Sequence, residues 1–224
     1  MFKVKGKLFL SGGGNEKQTF KLDEIFLKNI KKILYVPIAW KNEDFDSCLK
    51  WFKNAMDKHK KVKIEMIIDL EKDVILNNYD AVYIGGGNTF KLLNKIRESK
   101  FDRKLIDYFN DGGVIYGGSA GAIIFGRDIS TALICKDSDK NEVGIKNTRG
   151  LNLISGFDIQ CHFEDNQIEE HKKFMSKTGR SIICIPKESG VVFENNELKV
   201  LGLKPVTLIT KKEINKFKPG EIIK

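Results

Sequence analysis

Short apolar runs alternate with longer amphipathic stretches along the first half of the chain. Residues 7–10 (KLFL) run into Ser11-Gly12-Gly13-Gly14, and the segment 19–31 after them carries Phe20, Leu22, Ile25, Phe26 and Ile30 near helical spacing. Residues 33–39 (ILYVPIA) predict a strand. Over about 44–59 the apolar positions Phe45, Leu49, Phe52 and Met56 fall at i, i+4, i+7 and i+11, on one face of a helix. Residues 63–68 (KIEMII) and 81–84 (AVYI) predict two more strands. The second of these enters Gly85-Gly86-Gly87-Asn88-Thr89 and then a helix bearing Phe90, Leu92, Leu93 and Ile96. Asn88 suits the N-cap of that helix, because its side-chain oxygen can accept from a first-turn amide that has no intrahelical partner. Another helix, about 101–110, leads through Asp111-Gly112-Gly113 into the strand 114–117 (VIYG).

Strands separated by helices in this way predict βαβ units. The expected fold is α/β, a mainly parallel central sheet with helices on both faces, as in flavodoxin-like proteins. Beyond about residue 150 the connections shorten, and FDIQC, SIICI, GVVFE, LKVLG and VTLIT predict extra C-terminal strands, some antiparallel. With no internal repeat, low-complexity tract or linker, residues 1–224 are expected to form a single domain.

Composition narrows the class. The chain is 41% hydrophobic and 31% charged, as in soluble globular proteins, and no window approaches the roughly 18 apolar residues of a membrane span. The N-terminal stretch has too short an apolar core for a signal peptide, so a cytoplasmic location is expected. Cys48, Cys135, Cys161 and Cys184 are widely spaced, which suits reduced, mostly buried thiols rather than a disulfide framework or a zinc site. The formal charge of +9 comes from 34 lysines and 5 arginines scattered along the whole chain. Without an arginine-rich block or interleaved aromatics, this reads as a solvated surface and not as a nucleic-acid face.

The candidate chemistry centres on Gly117-Gly118-Ser119-Ala120-Gly121, a G-x-S-x-G pattern between an apolar strand and an apolar helix. A strand turning abruptly into a helix strains the serine and crowds the positions two residues either side, where glycine fits. The turn lifts Oγ out of the sheet as a nucleophile. The competing reading is a glycine-rich turn with a buried hydroxyl.

A serine nucleophile needs a base. Of three histidines, His59 ends a lysine-rich helix and reads as surface, and His171 in EEHKKF reads as structural or substrate-facing. His162 directly follows the strand-like FDIQC, so position and elimination make it the candidate base. Glu188, after the strand SIICI, is the candidate that orients the imidazole, with Asp137 and Asp165 as rivals. The Ala120 amide, at the head of a helix, offers one oxyanion donor, and the Gly85-Gly86-Gly87 turn offers a second, most simply Gly87. Asn88 and His171 are candidate substrate contacts. GGGNT lacks the spacing of a dinucleotide fingerprint or a P-loop, so a nucleotide cofactor is not expected.

Taken together, AVYIGGGNTFKLL, VIYGGSAGA about thirty residues on, and a strand ending in His-Phe resemble the peptidase E family of aspartyl dipeptidases. The match runs over roughly residues 5–200. That family is similar in fold to the class I glutamine amidotransferases, with cyanophycinase a related serine hydrolase. The resemblance implies a serine dipeptidase that removes N-terminal aspartate from short peptides without a metal or other cofactor. It implies Ser119 as nucleophile, since this chain carries serine where the amidotransferases carry cysteine. It implies His162 as base, in Cys161-His162-Phe163, where the family has a Pro-His-Phe-like motif. It implies Glu188 as third member, in Ile-Pro-Lys-Glu-Ser-Gly, one residue displaced from a Leu-Pro-Glu-Gly-like motif. Where the family is expected to use an arginine for the substrate's acidic side chain, this chain offers Lys172, Lys173 and Lys177. The expected partner is a short acidic peptide, and the expected assembly a monomer or homodimer. The alternative is a non-catalytic or differently specific member of the same fold.

Overall fold

The computed structural model describes residues 5–41, 43–134, 138–154 and 156–223. In chain order the first half runs β1 (Lys7–Ser11), α1 (Phe20–Leu27), β2 (Lys32–Val36), α2 (Phe45–Asp57), β3 (Lys63–Met66), β4 (Ala81–Ile84), α3 (Thr89–Glu98), α4 (Phe101–Asn110), β5 (Val114–Gly118) and α5 (Ala120–Ile123). The second half adds β6 (Asp158–Gln160), α6 (Ile168–Thr178), β7 (Ile182–Cys184), β8 (Ser189–Glu194), β9 (Glu197–Gly202), β10 (Val206–Ile209), β11 (Ile214–Phe217) and β12 (Ile222–Ile223).

The central sheet has the order β12-β9-β8-β1-β5-β4-β2-β3. Its β1, β5, β4, β2 and β3 are mutually parallel, and β8 adds antiparallel to β1 to begin the C-terminal extension. Side-chain alternation along the strands explains why both faces are covered. In β1, Leu8 and Leu10 point into a core shared with Phe90, Leu92 and Phe101 of α3 and α4. Phe9, between them, points into a core with Phe26 of α1 and Phe52 of α2. Each such fully buried side chain contributes about 1.5–3 kcal/mol relative to exposure, so the two cores together carry the fold.

Helix starts follow the local chemistry read from the sequence. Asp44 caps α2 by accepting from Ser47 N–H, and Asn88 caps α3 by accepting from Lys91 N–H. One feature differs from a single continuous sheet. The segments FDIQC and SIICI lie in a separate four-stranded sheet of order β11-β10-β7-β6, with β6 parallel to β7. This second sheet presents the carboxyl end of β6 to the carboxyl ends of β1 and β5, and it is there that the candidate residues meet. Among the described residues no helix is long and apolar enough to cross a membrane.

Candidate active site

β5 ends at Gly118, α5 begins at Ala120, and Ser119 between them holds φ 53 and ψ −115. A non-glycine residue in that region costs about 1–3 kcal/mol, which the surrounding structure must impose. The constraint is visible on both sides. The Ser119 carbonyl accepts from Ala122 and Ile123 N–H at 2.8 and 3.1 Å, starting the helix at once. A Cβ at Gly117 would sit 2.4 Å from the Gly121 carbonyl oxygen, and one at Gly121 would sit 2.3 Å from that of Ile84. The two flanking glycines are therefore steric requirements of the elbow.

His162, just past β6, is also held at positive φ, 54. Its Nε2 lies 2.6 Å from Ser119 Oγ. In the tautomer that leaves Nε2 unprotonated, the serine hydroxyl donates to it. The strand tip of β1 joins the two residues. Ser119 N–H donates to the Ser11 carbonyl at 3.1 Å, and His162 N–H donates to the Gly12 carbonyl at 3.0 Å. At Gly13, with φ +86, an added Cβ would come within 2.7 Å of Ser119 Cβ and 2.8 Å of His162 Nε2. The Cys161 thiol, where the resembling motif has proline, reaches the Ser11 and Ser119 carbonyls at 3.5 Å. Burial lowers the His162 pKa below its usual value, the Lys187 cation lowers it further, and Asp139 opposes them.

Gly87 borders the cavities on both sides of Ser119. Its N–H finds no acceptor among the described residues, and Ala120 N–H, first in α5, belongs to the amides that lack an intrahelical acceptor. Among the described residues, two donors near the serine thus have no acceptor.

The other expected residues are placed differently. Glu188 does not contact the imidazole: its carboxylate pairs with Lys204 Nζ at 2.8 Å, and that hydrogen bond holds its pKa below the usual carboxylate range. Glu188 and His162 do line one cleft of about 410 Å³. Asp165 pairs with Lys216 at 2.7 Å, and Asp137 lies outside the described residues. Among the described residues no carboxylate hydrogen-bonds His162 Nδ1. Asn88 is spent on the α3 cap and on a bond from Nδ2 to the Lys140 carbonyl at 2.9 Å. His171 is fully buried, its Nδ1 donating to the Gln167 carbonyl at 2.8 Å and its ring edge-on to Phe163, and it does not line either cleft at His162. Lys172 pairs with Glu169, and Lys173 and Lys177 are exposed on α6, away from the clefts.

Besides Gly87, Ser119 and His162, the site is lined by residues that the sequence did not single out. A polar cleft of about 440 Å³ at Ser119 and His162 includes Thr89, Asp139, Gln160, Glu164 and Lys187. Asp139 is anchored there by Thr89, whose N–H donates at 2.7 Å and whose hydroxyl donates as well. Lys187 had a readable signal, since it adjoins Glu188 at a strand end. Asp139, in a loop fifty residues from Thr89, had none. On the opposite side of Ser119 opens a second cavity, walled by aromatic rings. Among the described residues no cluster of three or more His, Cys, Asp or Glu is grouped to hold a metal ion.

Comparison with known proteins bears on this geometry. The model of peptidase family S51 matches residues 8–201. A peptidase E of Actinobacillus pleuropneumoniae serotype 5b (strain L20) is 24% identical over 194 residues, covering 81% of this chain and 80% of its own. A Drosophila melanogaster protein named "Probable alpha-aspartyl dipeptidase" is 26% identical over 196 residues, covering 84% of this chain and 73% of its own. The crystal structure of a peptidase from an acI-B1 Actinobacterium superposes with a TM-score of 0.71 at 16% identity, covering 99% of this chain and 97% of that one. A Listeria monocytogenes EGD-e crystal structure also gives 0.71, at 24% identity over 89% of this chain and 99% of that one. At these identities the superpositions speak for the fold alone.

Proposed function

The chain belongs to peptidase family S51, and on that premise we propose that it is a serine-type dipeptidase acting on short peptides with N-terminal aspartate. The observation that carries the reading is the 2.6 Å approach of Ser119 Oγ to His162 Nε2 at a strained strand-to-helix turn. Ser119 Oγ attacks the scissile carbonyl as His162 Nε2 takes its proton. The oxyanion forms against the free amides of Gly87 and Ala120, whose dipoles are already oriented when charge develops. His162 then gives the proton to the leaving amine, and water repeats the sequence on the acyl-enzyme.

In this proposal Glu188 orients the imidazole by exchanging Lys204 for His162 Nδ1. Two facts support the exchange: Glu188 shares a cleft with His162, and Lys204 is well exposed, so that ion pair holds Glu188 weakly. The lining of the polar cleft supports an N-terminal aspartate. Lys187 meets the substrate's side-chain carboxylate, and Asp139 and Glu164 meet its ammonium. A lysine in this role lacks the bidentate fork that an arginine offers a carboxylate.

A panel of Asp-X, Glu-X and neutral dipeptides tests the reading. Wild-type protein should hydrolyse Asp-X fastest, and Ser119→Ala should lose several orders of magnitude in turnover while keeping its circular dichroism spectrum. Equal hydrolysis by Ser119→Ala would end the mechanism. One observation favours a second reading, a binding module: with Glu188 held by Lys204, no carboxylate among the described residues hydrogen-bonds the imidazole. A binding module would take up acidic peptides without cleaving any.

A further inference from the structure

The polar cleft is only half of the space around Ser119. The other half, of about 560 Å³, opens between the end of β4 and the helix α2. Its walls are Tyr35, Trp40, Trp51 and Tyr83, with Gly86 and Ser119 at its inner end. The aromatic set is braced from behind. Tyr35 stacks on Phe52 at 3.9 Å between centroids, and Tyr83 meets Phe52 edge-on at 4.6 Å. At the mouth Trp40 and Trp51 stack at 6.1 Å, and Trp51 is 41% exposed on the solvent side of α2. Two indole rings left open beside a nucleophile are an unusual use of surface.

Access is built in as well. A Cβ at Gly86 would lie 3.3 Å from Ser119 Cβ and 3.8 Å from Oγ, so glycine there leaves the route from the nucleophile into this cavity open. Among the described residues the lining contains no carboxylate, and its one cation is Lys41. No carboxylate in that lining would pair with a positively charged side chain. Rigid aromatic walls offer wide contact at little entropic cost, and they suit a flat ring by offset or edge-on packing.

The geometry points to a specificity subsite in which Trp40, Trp51 and Tyr83, backed by the buried Tyr35, receive an aromatic side chain on the residue joined to the aspartate. The substrate class narrows to Asp-Phe, Asp-Tyr and Asp-Trp. This inference rests on the dipeptidase reading for the aspartate, whereas the aromatic subsite itself rests only on the cavity beside Ser119.

Binding is the readout that separates the two. In full-length Ser119→Ala, which cannot turn substrate over, calorimetric titration compares Asp-Phe, Asp-Ala, Ala-Phe and Ala-Ala. Phenylalanine peptides should bind about tenfold or more tightly than their alanine counterparts, the discrimination a well-fitting apolar pocket gives. Adding Trp51→Ala should remove most of that preference, and Trp51→Phe, which keeps a ring, should retain it. Equal affinity for phenylalanine and alanine peptides, no measurable binding of any peptide at millimolar concentration, or a Trp51→Ala loss shared by both sets overturns the subsite. A phenylalanine preference without an aspartate preference leaves the subsite standing and removes the aspartate assignment. A phenylalanine preference in a wild-type protein that hydrolyses nothing leaves the subsite standing and removes the peptidase reading.

Discussion

Ser119 Oγ and His162 Nε2 lie 2.6 Å apart, although 43 residues separate them and their strands belong to different sheets. The link is the end of β1, whose Ser11 and Gly12 carbonyls accept the backbone amides of Ser119 and His162 respectively. Gly13 then runs beside the two side chains so closely that no Cβ fits.

Gly13→Ala should therefore damage the pair without touching either member. The substitution places a methyl in the left-handed region and against both groups, and a displacement of about 1 Å in such a site costs on the order of 100-fold in rate. Steady-state kinetics should show the loss mainly in kcat. Unchanged kcat in a correctly folded Gly13→Ala protein would mean that the close approach is not needed.

The pH profile follows from His162. Burial first, and then Lys187, disfavour the imidazolium, so the folded pKa lies below the usual histidine value. Only the neutral ring can accept the serine proton, so kcat/KM should rise with pH through a midpoint below that value. Lys187→Met removes a cation that repels imidazolium. The pKa should rise, and the acid limb should move to higher pH. A limb that stays in place or moves down would separate Lys187 from the imidazole.

Glu188 and Lys204 make opposite predictions. If Glu188 orients His162 during turnover, Glu188→Gln should lower kcat by about 10³-fold or more, as a misplaced tautomer does. Lys204→Met, which frees the carboxylate from the 2.8 Å pair, should leave kcat unchanged or raise it. Equal losses in both variants would assign the pair a purely structural role.

Asp23 gives a stability test independent of activity. It is 3% exposed, accepts from the Thr19 hydroxyl at 2.6 Å and the Tyr116 hydroxyl at 2.8 Å, and burial pushes its pKa up from 3.8 to about 6. A raised folded pKa means that the native state binds the proton more tightly. This contribution is fully present below the unfolded pKa and is lost as pH rises through about 6. Asp23→Asn removes the dependence. Relative to wild type it should gain about 2–3 kcal/mol between pH 4 and pH 7, at about 1.4 kcal/mol per pKa unit. Chemical denaturation at the two pH values measures it, and a constant difference would contradict the burial argument.

Which parts were legible in the sequence follows from the range of the interactions involved. The elbow could be read because its steric rule is local: Gly117 and Gly121 stand two residues from Ser119 and meet each other. His162 could be read because histidine is scarce and this one follows a strand. The succession of short apolar strands and amphipathic helices foretold helices on both faces, where the structure has its two cores. The separate sheet holding β6 and β7 could not be read, since strand order is set by long-range pairing that leaves no mark in spacing. For the same reason the role of Ser11 to Gly13 stayed hidden, as did the Asp139 anchor on Thr89. Trp40 and Trp51 escaped notice because one lies in a loop and the other is on the exposed side of α2, outside its apolar stripe.

The central claim is that His162 activates Ser119, and covalent labelling tests it most directly. A fluorophosphonate should modify the wild-type protein at one peptide, the one containing Ser119. Labelling should vanish in Ser119→Ala and slow by orders of magnitude in His162→Ala. A wild-type protein that stays unlabelled, or labelling that is unchanged in His162→Ala, would contradict the account.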